Sequence, residues 1–444
     1  MTKSKNILLT LFPPVWPSLP PLGIFSLHES LCHQGISSVV LDCNNYFYQL
    51  ADEKQKQKFH QSCNTTFENQ MTTIIKNLFP LQFNELLKKM MTFDTIGFSC
   101  FKSNLQTTLS VCHILKREKK TIAIILGGPE ITRHYFKTKG AFSTEVYDNA
   151  DLIVVGEGEK PLIDFMKGHH TKSKVIAFEE LDSLQNVPFP RYTCCDLTTY
   201  PRKKTIPITL SRGCIKHCHF CSERLLYKKF RLRPIRSVLA EIAHHRHHHG
   251  ITNFIFFDSL INAHLENLEE LCDGIITQFG QVQWEAQLYI RTDMSDSLLQ
   301  KIKQSGCYNL FIGLESGSTK TLQKMNKGYT ATDALLFFEK LNNAGLHFGI
   351  SLLVGYPDET EQECMESLEF IINNKALIPK IEQINPFTYY DGTHLDKSKD
   401  YSTNTTSQKR FELFVSTIKK HNIKHTNAFL GNLIEKNSGS ALES

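Results

Sequence analysis

Cys214, Cys218 and Cys221 place three thiols within eight residues of a 444-residue chain. They follow directly on an apolar run, 206–211, that reads as a strand. Thiols on a loop leaving a strand end can converge on one metal centre. Two kinds of centre suit them. A structural zinc ion wants four protein ligands, and His217 or His219 would supply the fourth. A cubane iron–sulfur cluster held by only three thiolates keeps one iron unligated. The chain holds 13 cysteines, an odd count. No export signal is read: the apolar stretch 7–12 is short and is broken by Pro13 and Pro14. Together these point to a reducing, cytoplasmic setting, with thiols kept for metal or chemistry rather than for bridges.

The elements that would position such a centre alternate. In the first segment, strands are expected at 6–12, 38–42, 95–100, 122–126 and 152–155, with helices at 22–34 and 104–118. Residues 51–92 read as a polar insertion with helical spacing, interrupted at Pro80. Apolar strands separated by helices make a parallel sheet covered on both faces, whose ligands sit at the carboxyl ends of the strands. Residues 169–205 are aperiodic and carry Pro188, Pro190 and Pro201, as a linker would. From 206 to 390, six strands alternate with helices: 206–211, 254–258, 284–288, 309–315, 348–354 and 381–387. Six units with right-handed crossovers curl into an open barrel related to the TIM barrel, with its site at the C-terminal strand ends. A loop and an amphipathic helix, 411–420, fall in a C-terminal extension, 391–444. The domains are therefore expected at 1–168 and 206–390, with fold class α/β throughout.

Composition narrows the function. Apolar residues make up 41% and charged residues 21%, as in ordinary globular proteins. Lys and Arg exceed Asp and Glu by 50 to 45, a net +5 that is too weak over this length to argue for nucleic acid. No apolar run reaches the roughly 18 residues of a membrane span.

The spacing of the three cysteines at this place resembles the radical S-adenosylmethionine (SAM) superfamily, and further segments match in order. Phe220 stands where the family places an aromatic residue beside the adenine. Gly313-Leu314-Glu315-Ser316-Gly317 is similar to its ribose-holding segment, and Gly355-Tyr356-Pro357-Asp358-Glu359-Thr360 to its GxPxET segment. Asp258 and Ser259 end the second barrel strand, where this branch holds the methionine amine, and Arg291 follows the third, where an arginine can fork onto the methionine carboxylate. The resemblance implies a 4Fe-4S cluster on Cys214, Cys218 and Cys221. It also implies reductive cleavage of SAM to a 5'-deoxyadenosyl radical, with electrons from a partner such as flavodoxin or ferredoxin.

The first segment resembles the cobalamin-binding domain that precedes the radical domain in one large class. Pro20-Pro21-Leu22-Gly23, Asp42, Gly97-Phe98-Ser99, Leu126-Gly127-Gly128-Pro129 and Gly156-Glu157-Gly158-Glu159 carry that likeness, with Pro188-Phe189-Pro190-Arg191-Tyr192 as the interdomain linker. Ser99, Gly127, Gly128, Gly156, Glu157 and Gly158 are the positions expected to face the vitamin, the glycines by allowing close backbone approach. The DxHxxG motif that ligates cobalt elsewhere is missing, and His28 and His33 on the first helix are not its equivalents. Of the remaining features, His244-His245-Arg246-His247-His248-His249 could be a metal tract, but favourable cations at a helix C-terminus are the plainer account. Cys194 and Cys195 lie on the linker. Cys32, Cys43, Cys63, Cys100 and Cys112 invite comparison with methylthiotransferases, yet read more simply as buried thiols.

The class so implied methylates an unactivated carbon of a small-molecule or peptide substrate. The alternatives are a cyclase or rearrangement enzyme of the same class, a methylthiotransferase, and, outside catalysis, a cobalamin sensor.

Overall fold

The computed structural model describes residues 6–64, 71–169, 173–390, 392–395 and 405–426. Two compact units divide them. The first comprises 1–207, 225–233 and 240–251; the second comprises 208–224, 234–239 and 252–444.

The first unit is built on a six-stranded sheet. Its strands are β1 (Ile7–Leu11), β2 (Ser38–Asp42), β3 (Thr95–Ser99), β4 (Ala123–Gly127), β5 (Leu152–Gly156) and β6 (Val175–Glu179), ordered β2-β1-β3-β4-β5-β6. All neighbours run parallel, with Leu8 opposite both Val39 and Ile96. β1 is buried along its whole length, which is why its sequence is nearly unbroken apolar rather than alternating. The order reverses between β1 and β3, so the crevice beyond their carboxyl ends is the place such a sheet reserves for a ligand. The 51–92 insertion folds as helices Glu53–Asn64, Met71–Leu78 and Pro80–Met90, the last beginning on the proline that interrupts the pattern. Their aromatic residues fill one side of the core, with Phe47 centred 6.0 Å from Phe79 and 6.4 Å from Phe83.

β6 corrects the expected linker. Val175–Glu179 is the edge strand of this sheet, with every residue only half-buried or exposed. Its apolar run, Val175–Phe178, is only four residues long and lies in a stretch otherwise rich in polar residues and prolines. Other parts of 169–205 belong to the same unit: Tyr192 and Tyr200 are among its most buried side chains.

The second sheet contains β7 (Thr205–Ile208), β8 (Asn253–Phe256), β9 (Gln283–Leu288), β10 (Cys307–Glu315), β11 (Phe348–Val354) and β12 (Ile381–Pro386), in the order β12-β11-β10-β9-β8-β7. Sequential parallel strands in spatial order are the signature of a partial barrel. Each strand has a buried hydrophobic stretch, and Trp284 at the start of β9 is fully buried against Phe256. Of the C-terminal extension, the described part is 392–395 and 405–426; the rest of 391–444 lies outside the described residues, and Cys63's side chain does too. The helix Thr405–Lys420 starts six residues before the expected one and packs on β11 and β12.

Candidate active site

The cysteine loop is set by what fastens its ends. Where β7 ends, Asp258 accepts hydrogen bonds from the Leu210 N–H (2.9 Å) and the Ser211 hydroxyl. Gly213, at a positive φ of 88°, then turns the chain into Cys214. At the far side of the loop the His219 N–H donates to Met325 O (3.0 Å), and the His219 ring donates through Nδ1 to Lys324 O (2.9 Å). Asn326 holds His217 O (2.8 Å). The loop's own amides face the sulfurs: Lys216 N–H lies 3.4 Å from Cys214 Sγ, and Glu223 N–H 3.5 Å from Cys221 Sγ. Burial, the largest influence, raises all three thiols, Cys221 to about 12, and their proximity to one another adds to it. Empty, the loop therefore holds thiols, and loading a metal centre releases their protons. The donor set, three sulfurs with amide N–H groups aimed at two of them, suits a cluster.

The surroundings are cationic and aromatic. Lys327 is buried and pairs with Glu315 at 3.2 Å. Its ammonium sits 5.9 Å from the Phe220 ring centre and 5.6 Å from that of Tyr329, while Lys216 lies 3.9 Å from Tyr289. Burial works to lower the Lys327 ammonium, but Tyr329, Glu315 and Cys218 outweigh it and hold it above its ordinary value. Tyr289 donates its hydroxyl to Lys327 O, and Tyr329 to Gly313 O (2.8 Å). Glu315 itself takes a left-handed φ of 65° where the register with β11 slips, a conformation that costs a non-glycine residue about 1–3 kcal/mol. Lys327, Tyr289 and Tyr329 carry no local pattern that sequence reading could have used; only the fold brings them to the cysteines.

The other expected positions fall into two groups. Phe220 faces this cluster, edge-on to Tyr356 at 6.3 Å. Ser259 donates to Glu223 (2.8 Å), one step beyond the cysteine loop. Three more are turned to structural partners. Asp258 is spent on the loop's entry. Arg291 is clamped bidentately by Asp293, both contacts at 2.6 Å, and its remaining nitrogen reaches the Asn262 and Ala263 carbonyls. Ser316 is buried against the Ser367 hydroxyl at 2.7 Å. Gly355 has φ 74°, and a Cβ there would meet Ser407 Cα at 2.4 Å. It lets the helix Thr405–Lys420 approach, and Glu359 then binds Arg410 of that helix at 2.6 Å, a buried pair.

In the first unit Gly128, Gly156 and Gly158 are each approached closely by the chain itself. A Cβ on Gly128 would meet Cys100 backbone atoms at 2.8 and 2.9 Å, and one on Gly156 would meet Glu179 O at 2.3 Å. On Gly158 it would press the Leu27 side chain at 3.1 Å, and on Gly127 it would make ordinary contact with Val154. Glu157 is buried in an ion pair with Arg231 at 2.7 Å, and Arg231 also reaches Glu180 at 3.1 Å. Ser99 ends β3 beside Gly128, with its hydroxyl 3.2 Å from where that Cβ would stand. Asp42 caps the helix Cys43–Leu50 through the Asn45 N–H and accepts from the Tyr200 hydroxyl at 2.8 Å. Cys43, Cys100 and Cys112 are core thiols, raised by burial.

Residues 208–371, the stretch holding this site, match the family model described as the radical SAM superfamily. The chain carries a radical SAM domain. With that domain it is an enzyme, and the relatives extend the likeness beyond it. An uncharacterized methyltransferase of Pyrococcus horikoshii is 25% identical over 342 residues, covering 71% of this chain and 72% of its own. The bacteriochlorophyllide d C-12(1)-methyltransferase of Chlorobaculum tepidum is 27% identical over 267 residues, 56% of this chain and 57% of its own. Thus the chain spans between just over half and nearly three quarters of the length of these relatives. Among solved structures, the cobalamin-dependent SAM radical enzyme OxsB, with aqua-cobalamin and SAM bound, aligns with a TM-score of 0.65 at 17% identity. That alignment covers 99% of this chain and 62% of that one. The radical SAM methyltransferase TsrM from Kitasatospora setae, with cobalamin and a 4Fe-4S cluster bound, aligns at 0.65 and 15%, covering 88% and 77%. At these identities the likeness to both structures is one of fold: a Rossmann-like parallel sheet followed by a radical SAM barrel. No described helix is long and apolar enough to cross a membrane.

Proposed function

We propose that this chain is a cobalamin-dependent radical SAM methyltransferase acting on an unactivated carbon of a small-molecule or peptide substrate. The observation that carries the radical part is the convergence of Cys214, Cys218 and Cys221 with the Lys327–Glu315 pair at one end of the barrel sheet. When bound, the cluster and SAM supply a 5'-deoxyadenosyl radical after one-electron reduction, and cobalamin supplies a methyl group.

The chain's own residues do the rest. The three cysteines hold the cluster through thiolates, and the loop amides stabilise the charge on sulfur. Glu315 accepts the ribose hydroxyls of SAM, and Phe220 packs on its adenine. Lys327 pairs with Glu315 and adds positive charge beside the cluster. Asp258 and Arg291 act one step back, by fixing the loops that start after β7 and β9. Cobalamin is supported by the fold likeness over nearly the whole chain and by the switch point between β1 and β3, which leaves a crevice at the sheet's carboxyl edge. Methylation of carbon is supported by the bacteriochlorophyllide methyltransferase among the relatives.

Two measurements test this. Anaerobically reconstituted protein should hold about four irons per chain and release 5'-deoxyadenosine on reduction, and any one Cys→Ala change at 214, 218 or 221 should abolish both. Turnover of methyl-deuterated SAM against a metabolite extract should then yield a product carrying the labelled methyl group. A product without label, formed alongside 5'-deoxyadenosine, would replace methyl transfer with ring closure or rearrangement.

A further inference from the structure

The geometry points to a second metal site in the first unit, formed by His244, His245 and His249 at the C-terminal end of the helix Ile235–His249 and suited to a divalent transition ion such as zinc. One ring nitrogen from each of the three lies within 4.8 Å of the others. The ring centres are 5.1 Å apart for His244 and His245, and 5.5 Å for His245 and His249. Helix geometry makes the second contact natural, because side chains lean toward the N-terminus and the ring at i+4 covers the ring at i.

The nitrogens are what the helix-dipole account leaves unexplained. Cations at a helix C-terminus are favourable only if they are charged. His245 is fully buried, and neither of its ring nitrogens completes a hydrogen bond, although the Pro190 carbonyl lies near enough to favour a proton on the ring. The Nε2 of His244 is also buried without a partner. Burial, with the neighbouring histidines, pushes His245 down to about 3 and lowers His244, so both are neutral imidazoles. Buried polar atoms left unsatisfied cost about 1–3 kcal/mol each, which a bound ion would remove. His249 is already oriented for that role. Its Nε2–H donates to Arg191 O at 2.8 Å, which fixes the tautomer and leaves Nδ1 as the free lone pair, the arrangement that outer partners impose on ligating histidines.

Three imidazole ligands leave one position of a tetrahedral ion open, and such ligands favour borderline ions over calcium or magnesium. A dication here also sits at the negative end of the helix. The cation that opposes it is Arg191, whose guanidinium leans toward Glu29 at 3.5 Å. Phe189 and Tyr192 pack against the same rings, at 5.6 Å from His244 and 5.4 Å from His245. The ion would therefore lock the helix end onto the segment 189–192, a structural role separate from the cysteine centre.

The test uses full-length protein with its iron–sulfur cluster reconstituted, dialysed anaerobically against zinc alone. Wild type should retain one zinc per chain beyond the cluster metals. His249→Ala and His244→Ala, both at partly exposed positions, should each weaken retention at least tenfold, and His247→Ala should leave it unchanged. Zinc-edge X-ray absorption should show a first shell of nitrogen and oxygen with imidazole scattering. Equal retention by wild type and His249→Ala, no retention by wild type, or sulfur in the first shell would each overturn the site. His245→Ala is not needed for the decision, since its burial invites misfolding.

Discussion

Glu315 and Lys327 are one unit at the residue scale. Lys327 is buried and Glu315 half-buried, each is the other's partner, and removing Glu315 strands a buried charge, which typically costs about 3–5 kcal/mol. Glu315→Gln and Lys327→Met should each slow 5'-deoxyadenosine release at least tenfold and lower the melting temperature. The double variant should lose less stability than the two losses added, a non-additivity that thermal melts can read; full additivity would mean the pair does not act together. Asp42 gives a pH signature. Burial pushes its carboxyl up to about 6 despite the Asn45 and Tyr200 bonds. The folded chain thus holds that proton more tightly than the unfolded chain, whose value is about 3.9. Its contribution to stability is complete below pH ~4 and is lost as pH rises through 6. Asp42→Asn keeps the Asn45 N–H contact through its one oxygen, turns an amide N–H toward the Tyr200 hydroxyl, and cannot titrate. The wild-type melting temperature minus that of the variant should fall between pH 4.5 and 7, and a constant difference would contradict the assignment.

Elements show why some of this was legible beforehand and some was not. All six barrel strands were readable, most of them as short apolar runs between helical patterns, as Phe348–Val354 is. The cysteine loop was readable because its spacing is local. β6 was passed over because its apolar run, Val175–Phe178, is only four residues long and lies among polar residues and prolines. Lys327 was hidden because its partners lie on other strands. At Gly128, Gly156 and Gly355 the close approach that glycine allows is made by the protein's own chain. For Gly355 the consequence is direct. Gly355→Ala would drive a Cβ into Ser407 at an unfavourable φ, costing about 2–4 kcal/mol. Amide hydrogen exchange across 405–420 should speed up at least tenfold while exchange in β8 and β9 changes little. Gly128→Val should likewise loosen β3 and β4 through Cys100, so lost cobalamin binding in that variant would report a damaged fold.

On the scale of the whole molecule, the first unit is not finished where its sheet is. Arg231, some fifty residues beyond β6, neutralises the buried carboxylates of Glu157 and Glu180. A fragment ending at 207 would bury two acids without their counter-ion. It should therefore be poorly folded, showing early, broad melting and dye binding, whereas Arg231→Met in the full chain should show the same defect confined to amides of β5 and β6. A sharply melting 1–207 fragment would refute this reading.

The late position of Arg231 also sets an order in time. During synthesis at 5–20 residues per second, the strands of the first sheet leave the ribosome several seconds before residue 231 does. Throughout that interval Glu157 and Glu180 must stay hydrated, and the edge at β5 and β6 stays open. Closure of the first sheet is thus coupled to the emergence of the cysteine loop, because Cys214, Cys218 and Cys221 precede Arg231 in the chain. By the time the amino-terminal half can lock, the three thiols are already outside and able to meet iron.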